Sequence, residues 1–365
     1  MSWTYCVSDI PMKEWVFFRR LHAVAVDHQV YLFDYNKSRD EDTIKVLVFN
    51  PRTHVIRVVQ PDGRGEESLN EILASKGELV LIHFAAAYKE KVYVCVGGRA
   101  TASGRELLVF DTRRARWGCV TTSGNVPSSA MRWRVGACEQ DGHLYAWSIN
   151  STAPASEETY LWALEMSSLR WKIVAFAGWD ESYSPRCIVP YKNRVYVLLE
   201  RLSIPLEYSE DEIMYFDLAT KTWERPQPPG AAPLSLQLWI PFFFQDHLYV
   251  FLKEKRISDL VLRKIYDNVN FNELVLRYSF ADNKWEQVCF RGITPPAPLH
   301  LACVVDNVGV FFSLNQKKTY VLDFFPSLRS LCFQAVRKYR LGSIFLPAVL
   351  KRELSMYYYS SNDFK

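Results

Sequence analysis

Leu328, Cys332 and Val336 stand at intervals of four near the carboxy end of this chain, so on a helix they line one face, with Leu331 and Ala335 widening the stripe. Such a stripe offers recognition chemistry, because apolar anchors one turn apart fill a hydrophobic groove on a partner. Ser327 is a good N-cap, Arg337, Lys338 and Arg340 sit where the negative helix end favours cations, and Gly342 is a natural stop. A second helix can start at Pro347, with Leu346, Leu350 and Leu354 again on one face. The plainer alternative is that both helices only seal the underside of the body.

Residues for bond-making chemistry are sparse. The chain has no Gly-x-Ser-x-Gly, phosphate loop or paired-carboxylate motif. Its eight cysteines lack Cys-x-x-Cys pairing, which suits reduced, buried thiols in an intracellular protein rather than disulfides or zinc. Of the seven histidines, His28, His143 and His247 lie just ahead of a hydrophobic-Tyr pair and are expected to cap turns. His22, His83 and His300 are the set that a ring-shaped fold could bring together around a metal.

The elements that must position these residues are short strands in a repeat with two anchors. The first is a hydrophobic-Tyr pair: Val30-Tyr31, Val92-Tyr93, Leu144-Tyr145, Val195-Tyr196, Leu248-Tyr249, and a degenerate Val308-Gly309. In the second, a polar residue stands six positions before an aromatic or aliphatic one: Asn50 with Ile56, Asp111 with Trp117, Glu165 with Trp171, Asp217 with Trp223, and Ser279 with Trp285. Successive Tyr positions are roughly fifty to sixty residues apart, the kelch spacing, and each unit reads as the four strands of a propeller blade. The units number five complete and one partial, residues 295–325, which lacks a final strand. Ser2-Trp-Thr-Tyr-Cys-Val7 carries the missing Trp and is expected to complete the sixth blade, because an open ring would leave unpaired edges. The expected architecture is all-β: a six-bladed kelch β-propeller over 1–325, a short α-helical appendix over 326–356 and a tail over 357–365. One kelch hallmark is nearly absent, since the Gly-Gly doublet survives only as Gly97-Gly98.

The pattern Ser-Leu-x-x-x-Cys-x-x-x-Val at 327–336 resembles the elongin-binding box of the von Hippel–Lindau protein and the suppressor-of-cytokine-signalling receptors. Leu346-Pro347, Leu350 and Leu354 resemble the adjoining cullin box of the cullin-2 type. The whole order is an amino-terminal Trp-Thr strand, six blades, then Leu322-Asp-Phe-Phe-Pro-Ser-Leu-Arg-Ser-Leu-Cys-Phe-Gln-Ala-Val336. It resembles the kelch-repeat substrate receptors of cullin-2 RING ubiquitin ligases over nearly the full chain. That resemblance implies a non-catalytic subunit without a cofactor, whose partners are elongin B, elongin C, cullin-2 and a protein substrate bound by a peptide or carboxy terminus. It puts Leu328, Leu331, Cys332 and Val336 against elongin C, and Leu346, Pro347, Leu350 and Leu354 against the cullin.

Members of this group are expected to bind a terminal carboxylate, often after glycine, in an Arg-rich pocket on the propeller's upper face. By distance to the Tyr anchors, the matching positions here are Arg19-Arg20-Leu21-His22, Ile82-His83, Arg132-Trp133-Arg134, Pro185-Arg186, Leu238-Trp239 and Leu299-His300. In a propeller these positions converge on the axis. Arg20, Arg132, Arg134 and Arg186 are therefore the candidates to clamp a carboxylate bidentately, with Trp133 and Trp239 walling the peptide. The fifth blade, Ser235-Leu-Gln-Leu-Trp-Ile240, departs from the pattern by having no Arg. The bland alternative makes each Arg a solvated loop charge and each Trp a blade-packing residue.

Composition fits a folded intracellular receptor, expected in the cytoplasm or nucleus. The 365 residues are 49% hydrophobic and 15% aromatic, which argues against disorder. A net charge of +4 from 44 basic and 40 acidic residues gives no case for direct nucleic-acid binding. No apolar run reaches roughly eighteen residues, and no signal-peptide pattern opens the chain, so no membrane contact is expected. Two segments interrupt the repeat, 61–72 and 254–272; each reads as a binding loop or as a tolerated insertion. Two rival readings remain open at this stage. One is a non-enzymatic kelch scaffold for chromatin or cytoskeletal partners, and the other a copper oxidase, which would need two Tyr and two His on one metal.

Overall fold

A computed structural model describes residues 2–9, 21–37, 42–53, 55–59, 81–97, 104–127, 131–150, 159–177, 183–201, 212–226, 239–252, 275–288, 301–313 and 318–324. All regular structure among them is β, in six sheets. The chain opens with β1 (Ser2–Asp9), which joins the last sheet. Blade one is β2 (His22–Val26), β3 (Gln29–Lys37), β4 (Asp42–Asn50) and β5 (Val55–Val59). Blade two is β6 (Leu81–Tyr88), β7 (Lys91–Gly97), β8 (Glu106–Asp111) and β9 (Arg116–Thr121). Blade three holds β10 (Ser123–Gly124), β11 (Met131–Gln140), β12 (His143–Asn150), β13 (Thr159–Glu165) and β14 (Arg170–Ala177). Blade four is β15 (Tyr183–Tyr191), β16 (Arg194–Arg201), β17 (Glu212–Asp217) and β18 (Thr222–Glu224). Blade five is β19 (Trp239–Phe244), β20 (His247–Leu252), β21 (Val275–Ser279) and β22 (Lys284–Val288). Blade six is β23 (Leu301–Val305), β24 (Val308–Ser313), β25 (Lys318–Asp323) and, antiparallel on its outer side, β1.

Middle strands lie between two neighbouring blades, so both faces are buried. β7 accordingly reads Val-Tyr-Val-Cys-Val with no polar break, every residue from Val92 to Gly97 being buried. Among the described residues the core is six clusters, one per junction between consecutive blades. The cluster of Leu21, Val30, Leu32 and Phe49 with Val310, Phe312 and Val321 joins blade six to blade one and closes the ring. The two sequence anchors meet at these junctions. Tyr31 shares a cluster with Trp117, Tyr93 with Trp171, Tyr145 with Trp223 and Tyr196 with Trp285, the Tyr from one blade and the Trp from the next. Between blades five and six, Tyr249 meets Phe324, whose ring stacks on Phe244 with centroids 3.9 Å apart. Trp3 lies opposite Leu322 in register, as Trp117 lies opposite Phe110.

The last unit corrects one expectation. Each first and second strand is joined by a two-residue turn, and counting from the Asp306-Asn307 turn places Val310, not Gly309, at the Tyr position. Gly309 takes the place of the preceding aliphatic residue, because a Cβ there would come within 2.9 Å of the Phe311 ring.

One end of the ring carries the tight turns, together with the start of β1 and the end of β25. A positive φ occurs in all six two-residue turns, at Asp27, His28, Lys89, Asp141, Lys192, Gln245 and Asp306, which lets the hairpin follow the strand twist. The four-residue turns between third and fourth strands explain the second anchor. Asp111 Oδ1 accepts the Arg113 and Arg114 N–H groups, and Asn50 and Asp217 cap their turns in the same way. The polar residue thus shapes the turn, and the residue six positions on enters the junction.

Candidate functional site

The opposite end of the ring receives the connections between second and third strands and from blade to blade. First strands start there and line the axis: β2 touches β6 and β23, β6 touches β11, β11 touches β15, and β19 touches β23. Arg132, Trp133 and Arg134 lie in the first half of β11, Arg186 lies in the first half of β15, and Trp239 opens β19. These residues therefore belong to inner strands at the connector end. Arg20 lies outside the described residues, as do Leu328, Leu331, Cys332, Val336, Leu346, Pro347, Leu350 and Leu354, and both interrupting segments, 61–72 and 254–272.

Strand register refines the arrangement. In blade two, Ile82 pairs with Val96 and Phe84 with Cys95, so His83 is an extra residue. In blade three, Trp133 pairs with Ser148 and Val135 with Trp147, leaving Arg134 extra. In blade four, Pro185 pairs with Leu199 and Cys187 with Leu198, leaving Arg186 extra. All three are β-bulges, and all fall between the partners of the second and third residues after the Tyr anchor. Bulges at one level of neighbouring strands re-aim side chains there and are common beside binding sites. Blade five pairs straight through the same level, Trp239 with Leu252 and Ile240 with Phe251. Trp239 therefore shares its level with Trp133, not with the arginines.

Around this level the polar contacts are few and specific. The His22 imidazole Nε2 lies 3.1 Å from the Ile82 carbonyl, a cross-blade hydrogen bond beside the first bulge. Ser148, opposite Trp133, is buried and accepts the Trp162 indole N–H at 2.7 Å. Asp34, the third residue after Tyr31, is 5% exposed and pairs across the strands with Lys45. Burial pushes its carboxyl up to about 7, with Lys45 pulling the other way.

His300, the third member of the set that could hold a metal, and His54 lie outside the described residues. His28 occupies a tight turn and bonds Asp306 at 2.6 Å, and the His143 ring lies 3.1 Å from the Asp141 carbonyl in another turn. Among the described residues no group of three or more His, Cys, Asp or Glu comes together to hold a metal ion. The thiols of Cys187 and Cys303 are pushed up to about 12 by burial, which leaves them unreactive near neutral pH. Distance to the Tyr anchors puts His83, Arg134 and Arg186 near one level, with His83 weighed there as a metal ligand; the bulge that all three share is a matter of strand register, which that spacing does not show.

No model of a known protein family matches the chain. It is 24% identical over 376 residues to Kelch domain-containing protein 3 of Bos taurus, covering 93% of both chains. The corresponding protein of Mus musculus is 25% identical over 377 residues, and that of Homo sapiens 24% over 376, again with 93% of each covered. A likeness covering 93% of the chain, together with a ring of six blades whose junctions hold the Tyr and Trp anchors, makes this a kelch-type propeller similar to Kelch domain-containing protein 3.

Proposed function

We propose that this chain is the substrate-recognition subunit of a cullin-2/elongin B/elongin C ubiquitin ligase and that it reads the carboxy termini of its targets. The observation that carries the proposal is the order of parts: a ring complete by Phe324, followed at once by the 327–336 and 346–354 patterns. Labour then divides cleanly, with the propeller holding the target and the two boxes holding elongin C and cullin-2. The subunit works by placement and needs no catalytic group or cofactor of its own. On the connector end, Arg134 and Arg186 stand at equivalent bulges of adjacent inner strands. A guanidinium there offers a carboxylate two parallel hydrogen bonds, and Arg20 and Arg132 flank the same level in the sequence. Trp133 and Trp239, level with each other on different blades, supply walls for the peptide. Such a subunit acts in the cytoplasm or nucleus.

Co-expression of the full chain with elongins B and C tests this directly. Stoichiometric co-purification of all three is expected. A chain that purifies alone from such cells is a kelch scaffold and not a ligase receptor. Metal analysis of the same sample addresses the oxidase alternative, which demands bound copper.

A further inference from the structure

The bulge on β6 changes more than register. Ile82 packs at the junction of blades one and two, whereas Phe84, two residues later, packs at the junction of blades two and three. In an unbroken strand, residues two apart share a face. The bulge therefore removes His83 from the alternation that sends Ile82 to one junction and Phe84 to the next, and its side chain is half-buried. A bulge also disrupts the local ladder, and here the His22 ring reaches from the neighbouring inner strand to the Ile82 carbonyl, fixing the backbone just before His83. Arg134 and Arg186 occupy the same level on the next two inner strands, β6 touching β11 and β11 touching β15. The three bulged residues form one arc over adjacent blades, whereas blade five is straight at that level.

We propose that His83 is a ligand-contacting residue, forming with Arg134 and Arg186 a single arc across blades two to four that takes the terminal carboxylate of a peptide, seated off the propeller axis. This assignment rests on the terminus-reading function proposed above. An imidazole carries an N–H in either tautomer, so it donates to a carboxylate oxygen without needing a charge. A carboxylate has room for such a donor beside two arginines, having about four lone-pair sites.

The test uses the full chain and a fluorescent peptide pool with randomised carboxy-terminal residues, prepared once as free acids and once as amides. The unaltered chain should bind the free-acid pool about tenfold or more above the amide pool. His83→Ala should lower free-acid affinity about five- to tenfold and leave amide binding unchanged, while His83→Gln, which keeps an N–H donor, should stay within about twofold of the parent. Equal losses in both pools would make His83 a packing residue and overturn the proposal, as would unchanged free-acid binding in His83→Ala. Should Arg134→Glu abolish the preference for free acids while His83→Ala preserves it, terminus reading stands and the role of His83 falls. If the unaltered chain binds both pools equally, terminus reading itself falls and takes this assignment with it.

Discussion

Asp34 is the one buried acid among the described residues, and its position makes it costly. It stands on β3, level with the candidate site, facing Lys45 across the ladder. Burial raises its carboxyl from 3.8 to about 7. The folded value lies above the unfolded one, so folding favours the protonated form. That contribution is complete below about pH 4, declines as pH rises, and is gone once pH passes about 7. Asp34→Asn removes the titration, so the variant should gain on the parent across this window and be more stable by about 2–4 kcal/mol at pH 8. Urea unfolding of both proteins at pH 5 and pH 8 checks this, and a gap that does not widen with pH would show the carboxyl to be solvated. Nothing in the sequence around Asp34 announces its burial, because an Asp on a strand flanked by Phe33 and Tyr35 reads equally well as a solvated residue. The Tyr and Trp anchors are the opposite case. Their size marks them as junction fillers, and Trp117, Trp171 and Trp285 are each buried against the preceding blade.

Strands, turns and bulges divide into what the sequence announces and what it hides. The capped four-residue turns are announced, because Asp111 and Asp217 must precede the backbone N–H groups they accept. Level equivalence around the axis is hidden. Tyr93 and Tyr196 follow His83 and Arg186 by ten residues, whereas Tyr145 follows Arg134 by eleven. The difference is a second bulge in β11, between Val135 and Cys138, which adds one residue below the first. Counting also misplaces Trp239, since blade five lacks a bulge that blades two to four share. Outside the inner ring, β10 adds to blade three as a parallel strand on β14, with Asn125 N–H donating to the Trp171 carbonyl at 3.1 Å. Gly124 makes this possible: its φ is +82°, and a Cβ would fall 2.4 Å from the Trp171 carbonyl oxygen. Gly124→Ala should therefore detach β10 and cost about 1–3 kcal/mol. Free-acid peptide affinity should stay unchanged, since β10 lies on the outer side of its blade. Denaturation midpoints paired with peptide titrations check both halves, and a parental midpoint would mean the strand tolerates the methyl group.

At the scale of the whole molecule, closure among the described residues runs through strands that end by Phe324. β1 pairs with β25, and the tight-turn end of the same seam carries a small polar clasp in which Asp306 of blade six binds His28 at 2.6 Å and Arg52 at 3.0 Å, both of blade one. The clasp is solvent-exposed and worth about 1 kcal/mol at most, so apolar packing at the seam does the closing. The count of six blades could be read from the Tyr spacing for the same reason: every junction must be filled, including the one that joins the two ends. The appendix was read from a helical period and a resemblance, and partner binding is where it must be judged. Leu328 is the expected central anchor on elongin C, and a fully desolvated anchor contributes roughly 2–4 kcal/mol, or about thirtyfold to a thousandfold in affinity. Leu328→Ala combined with Cys332→Ala should abolish elongin co-purification. Leu346, Pro347 and Leu350 changed together to Ala should release cullin-2 and keep elongins B and C, because the two patterns are separate in the sequence, with Gly342 between them. Both variants should bind the free-acid peptide pool as the parent does, since the proposed carboxylate contact lies on the inner strands. Retention of elongin C by the first variant would remove the box assignment. Loss of both partners in the second would make 326–356 one structural unit, and loss of peptide binding in either would mean that the appendix holds the ring together.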